Sequence, residues 1–273
     1  MKFADLHLHT DFSDGTYTPE ELVKSSLNAG LSAISITDHD TVLGVSKAIE
    51  IAESYSLEVI PGVEISSEYD SKEVHILGYL IDYKADSVLA QLDTLRKNRI
   101  ERIYKITEKL NSLGLSLKAE DVFDIAGKSI PGRLHVARAL EKKGLVGSIY
   151  EAFNKYIGDS GPAYVLGFRF SLKEAIDFIR GNGGIPVLAH PYTLNNDVLI
   201  TDFIRLGIMG LEIYYPEHSQ GEVNYYLNLA KEYNLLVTGG SDCHGNAKPK
   251  VRIGSMKIPY TLVERLKETK EKL

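Results

Sequence analysis

Short apolar runs alternate with amphipathic stretches along most of the chain, a pattern typical of strands alternating with helices. The runs that predict strands lie at residues 3–9, 31–37, 57–65, 74–81, 185–189, 210–214, 235–238 and 253–258. Helices are predicted at residues 19–28, 42–54, 172–180, 202–206, 222–233 and 261–272. This alternation favours a largely parallel sheet, and roughly seven such units favour a (β/α) barrel over an open sheet.

The middle of the chain breaks the alternation, because residues 86–163 contain almost no strand signal. Residues 87–112 predict a long amphipathic helix, and shorter helices are predicted at residues 119–125, 134–142 and 148–156. We interpret residues 86–163 as a helical subdomain inserted into an α/β barrel that is formed by residues 1–85 and 164–273.

Composition narrows the class of protein. The 273 residues are 44% hydrophobic and 25% charged, which is typical of a folded protein, and the net charge of -6 lacks the basic footprint of a duplex-binding protein. Cys243 is the only cysteine, which excludes an intrachain disulfide and fits a reducing cytoplasm. The chain contains neither a signal-peptide pattern nor an apolar run of about 18 residues, so we expect a cytoplasmic protein that does not enter a membrane.

Six of the eight histidines lie on predicted strands or at their ends, with acidic residues close to them. The candidate metal ligands are His7, His9, Asp14, His39, Glu64, His75, His190, Asp242 and His244. In a parallel barrel the carboxyl ends of the strands meet on one face, so these side chains are expected to meet there. Nine ligands are more than a single tetrahedral site requires. They suit two or three divalent ions, with Glu64 or another carboxylate as a bridge.

Imidazole and carboxylate ligands suit manganese, iron and zinc alike, so the sequence leaves the metal open. Paired ions that activate a water molecule can hydrolyse a phosphate ester without a covalent enzyme intermediate. The sequence contains neither a G-x-S-x-G motif nor a Walker loop, which argues against a serine hydrolase and a P-loop nucleotide-binding protein. Asp38 and Asp40 flank His39 and are equally suited to orient it and to cap the following helix.

Four groups of residues resemble the motifs of the PHP domain (polymerase and histidinol phosphatase) family. They are His7-Leu8-His9-Thr10 with Ser13-Asp14-Gly15, Thr37-Asp38-His39-Asp40, Gly62-Val63-Glu64-Ile65 followed by His75, and Ala189-His190-Pro191 with Ser241-Asp242-Cys243-His244-Gly245. Within this family the chain is most similar to the stand-alone nucleotide-phosphatase branch, whose members carry a helical insertion after the fourth strand. The resemblance implies a distorted seven-stranded barrel. It also implies hydrolysis of nucleoside monophosphates, 3′,5′-bisphosphates or short oligonucleotides, including trimming of RNA from the 5′ end.

The resemblance also implies how the ligands are shared among three ions. His7, His9, Glu64 and Asp242 would hold the first ion, Glu64, His75 and His190 the second, and Asp14, His39 and His244 the third. Glu64, Asp242 and His190 are accordingly the expected catalytic residues. Asp14 stands where some relatives have histidine, so a third ion would meet a carboxylate there.

Substrate-binding residues are expected in the insertion, which follows directly on the strand with His75 and is therefore predicted to act as a lid. Arg133 and His135 begin a predicted helix there, where a helix N-terminus and an arginine fork favour a phosphate. A solvated Arg133 and a locally packed His135 are the alternative, and His218 is a further candidate outside the metal set. Two other functions stay open: a histidinol-phosphate phosphatase and a catalytically silent metal-binding PHP module.

Overall fold

A computed structural model describes residues 1–166 and 170–273 of the chain. The strands are β1 (Phe3–Leu8), β2 (Ala33–Ile36), β3 (Glu58–Tyr69), β4 (Lys72–Tyr79), β5 (Phe170–Ser171), β6 (Ile185–Leu188), β7 (Gly210–Tyr214), β8 (Leu236–Gly239) and β9 (Ile258–Pro259). The α-helices are α1 (Pro19–Asn28), α2 (Leu43–Ala52), α3 (Asp86–Ser112), α4 (Ala119–Ala126), α5 (Arg133–Lys142), α6 (Ile149–Ala152), α7 (Leu172–Gly181), α8 (Val198–Leu206), α9 (Gln220–Glu232) and α10 (Thr261–Lys270).

Seven strands form a nearly closed barrel in the order β1-β2-β3-β4-β6-β7-β8. The segment after β8 returns to β1, where the Asp242 N–H donates to the His7 carbonyl at 2.8 Å and the His9 N–H donates to the Cys243 carbonyl at 3.1 Å. The two-residue strands β5 and β9 add to β3 and β1 respectively. The predicted barrel-like α/β fold is therefore confirmed.

Strand β4 runs antiparallel to both of its neighbours, β3 and β6, whereas the other pairs among the seven strands are parallel. No helix separates β3 from β4, and Asp70 and Ser71 join them in a tight turn with φ angles of 50° and 61°. Positive φ at both central residues is typical of the hairpin turn that matches the twist of the strands. The reversal places His75, near the start of β4, opposite Ser66 in the second half of β3.

The chain divides into two compact units, Met1–Gln91 with Arg169–Leu273 and Leu92–Phe168. The core of the first unit consists of strand side chains such as Leu6, Ile60, Leu77, Tyr79 and Val187, which are almost completely buried. The second unit is helical and has its own apolar core, which includes Ile103, Leu110, Val122, Leu140 and Ile157. The predicted insertion at residues 86–163 overlaps this second unit, and its role as a lid stays a prediction.

The strand predicted at residues 253–258 is wrong over most of its length, because only Ile258–Pro259 pair as β9. Gly254 has a φ of 72° and lies in a turn, where its N–H donates to the Asp5 carboxylate at 2.9 Å. The pattern of apolar residues in this segment is typical of a strand, but the hydrogen bond from Gly254 to Asp5 holds the backbone in a turn. In the second unit, the predicted helix at residues 148–156 is confirmed only in part, since α6 continues as a π-helical turn over Phe153–Ile157.

Candidate metal centre

The nine predicted ligands form one cluster in the barrel unit. Their nitrogen and oxygen atoms make three overlapping groups, each within 4.8 Å: His9, Asp14, His39 and His244; His7, His9 and Asp242; and His39, Glu64 and His75. His190 joins through Glu64, since its Nε2 atom lies 3.1 Å from the Glu64 Oε1 atom. These groups differ from the three ligand sets that the resemblance implies, so the assignment of each ligand to an ion stays a prediction.

The local backbone conformation directs these side chains toward the same cluster. His7 and His9 are two residues apart at the end of β1, so their imidazoles share a face of the strand. His39 follows β2 and forms an isolated parallel bridge with Glu64. His190 and Asp242 follow β6 and β8 with φ angles of 27° and 53°, a region that non-glycine residues rarely adopt. Such conformations persist only where the surroundings hold them, and they are common at functional sites.

Glu64 is the centre of this cluster. Its Oε1 atom lies 2.8 Å from the His75 Nδ1 atom and 3.1 Å from the His190 Nε2 atom. Its Oε2 atom lies 3.2 Å from the Nε2 atoms of both His7 and His9, and 3.3 Å from the His39 Nδ1 atom. Because the two oxygens face different histidines, the carboxylate is suited to bridge two ions.

Burial disfavours charge on these groups, but their mutual attraction outweighs it for most of them. Burial lowers the pKa of His9, yet hydrogen bonds and attraction to Asp242 and Glu64 bring it to about 9. Against the same cost of burial, Glu64 and Glu73 raise the pKa of His75 to about 10. Burial raises the pKa of Glu64, but the neighbouring histidines hold it well below its usual range. His39 differs, because burial dominates and lowers its pKa to about 3.

These pKa values predict how metal affinity depends on pH. Without ions, these pKa values place a proton on both ring nitrogens of His9 and of His75 at neutral pH. A metal must displace one of these protons from each ring to bind. Apparent affinity should therefore rise as pH increases toward the two pKa values of about 9 and about 10. Calorimetric titration of metal-free protein with Mn²⁺ in two buffers of different ionisation enthalpy would measure both affinity and released protons. Equal affinity at about pH 6.5 and about pH 8.5, without proton release, would contradict this prediction.

The chemistry of the side chains fits divalent metal ions. The Asp14 Oδ1 and His39 Nδ1 atoms are buried and make no hydrogen bond to residues 1–166 or 170–273, which would be costly without another partner. Both atoms face the cluster, since the Asp14 Oδ1 atom lies 3.2 Å from the His244 Nε2 atom and the His39 Nδ1 atom lies 3.3 Å from Glu64. Buried nitrogen and oxygen atoms at this density are suitable ligands for manganese, iron or zinc.

The two aspartates beside His39 support the backbone around the cluster. Asp38 is buried and accepts hydrogen bonds from the Thr10 N–H at 2.7 Å and from the Ser13 hydroxyl at 2.6 Å. Asp40 accepts from the Ser66 N–H at 2.8 Å. The N-cap position of α2 is occupied by Val42, so neither aspartate is the N-cap residue of this helix. Asp38 thus fixes the loop after β1, and Asp40 ties the loop after β2 to β3.

Glu212 and Tyr215 contact the ligands and were not expected from the sequence. Glu212 on β7 is fully buried, and its Oε1 atom lies 2.8 Å from the His7 Nδ1 atom. The Tyr215 hydroxyl donates to the Asp242 Oδ2 atom at 2.8 Å. A signal for Glu212 exists, because Gly210-Leu211-Glu212-Ile213 repeats the pattern of glycine, apolar residue, glutamate and isoleucine around Glu64. Tyr215 has no comparable signal, because its partner is brought near only by the fold.

All three candidate substrate-binding residues make hydrogen bonds to residues outside the nine predicted ligands. Arg133 pairs with Asp159 at 2.5 Å. His135 is buried, and its ring accepts a hydrogen bond from the Gly132 N–H at 3.0 Å and contacts the Ser129 hydroxyl at 3.2 Å. The His218 Nδ1 atom donates to the Ile213 carbonyl at 2.8 Å. His135 thus caps the start of α5, and the substrate-binding roles stay predictions.

A nearly closed α/β barrel with histidines and carboxylates gathered at its strand ends is the architecture of a metal-dependent hydrolase. A model of the PHP domain matches residues 5–154, and the chain belongs to this family. No helix among the described residues is long and apolar enough to cross a membrane.

Three similar proteins carry names that describe phosphate-ester chemistry. The 5′-3′ exoribonuclease of Haemophilus influenzae is 32% identical over 89% of this chain and 90% of that protein. The 3′,5′-nucleoside bisphosphate phosphatase of Chromobacterium violaceum is 31% identical over 89% of this chain and 88% of that protein. A crystal structure described as a metal-dependent phosphoesterase from Bifidobacterium adolescentis is 30% identical, with a TM-score of 0.88 over 96% of this chain and 94% of that one. The predicted family and the predicted class, a phosphoric ester hydrolase, are confirmed.

Proposed function

We propose that the protein hydrolyses phosphate esters of nucleotides, using two or three divalent ions of manganese, iron or zinc. The observation that carries this proposal is the position of Glu64, whose two oxygens contact five histidines from four separate segments. Ions bound at such a centre supply an activated water molecule and neutralise charge on the phosphoryl oxygens. No serine or cysteine nucleophile is required.

Residues around the cluster orient the predicted ligands and add a positive charge beside them. The Lys248 ammonium lies 2.8 Å from the Asp242 Oδ2 atom, and 42% of the Lys248 side chain is exposed. It therefore places a positive charge at the edge of the cluster, where it is suited to attract an anionic substrate. Asp38 fixes the loop after β1 through Thr10 and Ser13. These contacts hold the ligands in place before a substrate arrives, which lowers the entropic cost of reaching the reactive geometry.

The relatives favour nucleotides as the substrate class. The names of the Haemophilus and Chromobacterium proteins describe RNA and a nucleoside bisphosphate, and both kinds of substrate contain phosphate esters of a nucleoside. We therefore propose nucleoside monophosphates, 3′,5′-bisphosphates and short oligonucleotides as substrates. A histidinol-phosphate phosphatase and a silent metal-binding module remain as alternatives, and the complete set of nine ligands argues against the silent module.

A direct assay separates the three functions. Purified protein with Mn²⁺ is incubated in parallel with adenosine 3′,5′-bisphosphate, adenosine monophosphate, a short 5′-phosphorylated RNA and histidinol phosphate. Release of phosphate from the bisphosphate, or of mononucleotides from the RNA, is the expected result. Turnover of histidinol phosphate alone would favour the second function, and metal binding without turnover of any substrate would favour the third.

Arg133 provides a test of substrate binding. If it contacts a substrate phosphate, Arg133→Ala should raise KM for the bisphosphate about tenfold or more, because a charge-assisted hydrogen bond is lost. Metal content and thermal stability should stay near those of the unaltered protein. The effect on an aryl phosphate should be smaller, since that substrate carries a single phosphate.

Asp159→Asn is the matched control for Arg133→Ala. It removes the carboxylate that pairs with Arg133 at 2.5 Å but keeps the guanidinium. Asp159 is 69% exposed, so breaking this pair alone should cost little. Loss of activity on the bisphosphate in Arg133→Ala but not in Asp159→Asn supports substrate binding. Equal losses in both variants would assign Arg133 a structural role within the helical unit.

A further inference from the structure

Strand β7 lies between β6 and β8, and the segments that follow those two neighbours carry His190, Asp242 and His244. β7 itself carries none of the nine predicted ligands. It nevertheless holds a glutamate that is fully buried, Glu212, and it is followed by Tyr215, which is only 5% exposed. A buried carboxylate is costly unless its oxygens are hydrogen-bonded, so the partners of Glu212 indicate its role.

Each oxygen of Glu212 contacts a different predicted ligand. The Oε1 atom lies 2.8 Å from the His7 Nδ1 atom, and the Oε2 atom accepts from the His190 N–H at 2.9 Å. The Glu212 carboxylate is placed to accept from the His7 Nδ1–H, which leaves the His7 Nε2 atom as the one that would bind a metal. That Nε2 atom faces the cluster, 3.2 Å from Glu64 and 3.4 Å from Asp242. A carboxylate behind a histidine in this way fixes the tautomer that binds a metal.

The hydrogen bond to the His190 N–H holds the backbone of this ligand in an unfavourable conformation. His190 has a φ of 27°, a conformation that histidine adopts only when its surroundings hold it. The Glu212 Oε2 atom anchors the backbone of His190 at this position, and the Tyr215 ring packs beside the His190 imidazole with ring centroids 5.4 Å apart. Two neighbouring side chains therefore hold both the backbone and the ring of this ligand.

Tyr215 also fixes a third ligand. Its hydroxyl donates to the Asp242 Oδ2 atom at 2.8 Å, and the other oxygen of Asp242 lies 3.1 Å from His9 and 3.4 Å from His7. Asp242 has a φ of 53° and lies in the segment that closes the barrel on β1. The tyrosine bond therefore selects which carboxylate oxygen faces the histidines.

We propose that Glu212 and Tyr215 are positioning residues that prepare His7, His190 and Asp242 for metal binding. The three ligands belong to three separate segments of the chain, and β7 with the residue that follows it contacts all of them. This inference rests on the proposed metal-dependent function but is tested by metal binding itself. Partners of this kind typically contribute about 10–100-fold to metal affinity.

Glu212→Gln is the decisive variant. Glutamine has the same shape, but its amide offers one acceptor group and one donor group, so it cannot accept from both the His7 ring and the His190 N–H. The affinity of metal-free protein for Mn²⁺, measured by calorimetry, should fall about 10–100-fold. Phosphate release should recover as Mn²⁺ is raised. Tyr215→Phe keeps the ring beside His190 and should show a smaller loss, because Lys248 still contacts Asp242.

Glu58→Gln and Tyr260→Phe are the matched controls. The Tyr260 hydroxyl donates to the Glu58 carboxylate at 2.6 Å in the same unit, and this bond involves none of the nine ligands. Both controls should bind Mn²⁺ like the unaltered protein. Unchanged Mn²⁺ affinity in Glu212→Gln would overturn the proposal. A lowered unfolding temperature of metal-free Glu212→Gln with unchanged Mn²⁺ affinity would also overturn it, by assigning Glu212 a purely structural role.

The outcome can be separated from that of the proposed function. If the unaltered protein binds Mn²⁺ but releases no phosphate from any nucleotide, the proposed function fails, whereas the affinity comparison still decides the roles of Glu212 and Tyr215. If nucleotides are hydrolysed and the affinity of Glu212→Gln equals that of Glu58→Gln, the positioning role fails alone.

Discussion

Replacement of Glu64 by glutamine is expected to lower kcat/KM for nucleotide hydrolysis by more than about a hundredfold, because a group that only supports a ligand already contributes about 10–100-fold. Glu64 contacts His7, His9 and His39 through one oxygen and His75 and His190 through the other. Glutamine would keep the shape but lose the charge and present an amide group to one set of histidines. Steady-state kinetics together with metal analysis of the same sample would measure the effect.

Glu73→Gln is the graded control for this variant. Glu73 lies 3.1 Å from the Nε2 atom of His75, so the two glutamates share this neighbour, but Glu73 is not one of the nine predicted ligands. Its replacement should therefore cost much less activity than Glu64→Gln. Activity of Glu64→Gln near that of the unaltered protein, with the fold intact, would refute the bridging role and with it the model of a shared centre.

Removal of metal is the second change with a large expected effect. Protein treated with a chelator and then freed of it should lose hydrolysis almost completely, because the proposed nucleophile is a metal-activated water. Adding Mn²⁺ should restore activity, and two or three equivalents of metal per chain should be bound at saturation. Elemental analysis of the same samples is the necessary companion measurement. Full activity in a sample shown to contain no metal would exclude the proposed function.

Metal removal should also lower thermal stability. An ion present at about a hundred times its dissociation constant stabilises the folded state by about 2.7 kcal/mol. For a chain of this size, that free energy corresponds to an increase of about 5–10 °C in the unfolding temperature. Differential scanning calorimetry of the metal-free and the reconstituted protein would show the shift. An unchanged unfolding temperature would show that the metal binds too weakly to populate the cluster.

The sequence predicts most of the barrel because apolar periodicity is a local property. The main strands and the long helix α3 are found close to where the pattern places them. The direction of β4 was not anticipated, since a strand pattern carries no information about polarity and the turn at Asp70 and Ser71 decides it. The failed strand at residues 253–258 has the same origin, because the backbone there follows a hydrogen bond from Gly254 to Asp5, which is distant in the sequence.

The residues of the cluster were predictable because metal chemistry restricts the candidate ligands to histidine and carboxylates, and the strand pattern places them at strand ends. The groups that hold these ligands were harder to find. Asp5 accepts from the Ser241 N–H at 2.8 Å, and Tyr215 donates to Asp242, yet neither residue is close in sequence to its partner. Glu212 alone repeats a recognisable pattern, that of Glu64, on another strand. Residues whose function depends on a partner brought near by folding leave little trace in a single sequence.

The hairpin of β3 and β4 divides the assembly of the centre into an early and a late part. Glu64 and His75 are 11 residues apart and meet as soon as this hairpin forms. Asp242 and His244 reach the cluster only when the segment after β8 pairs with β1, a contact between residues such as Asp5 and Ser241 that are 236 positions apart. Contacts of long sequence separation form slowly because of the entropy of loop closure. Full metal affinity is therefore expected only after this contact has formed, and a chain that fails to close the barrel is expected to be inactive.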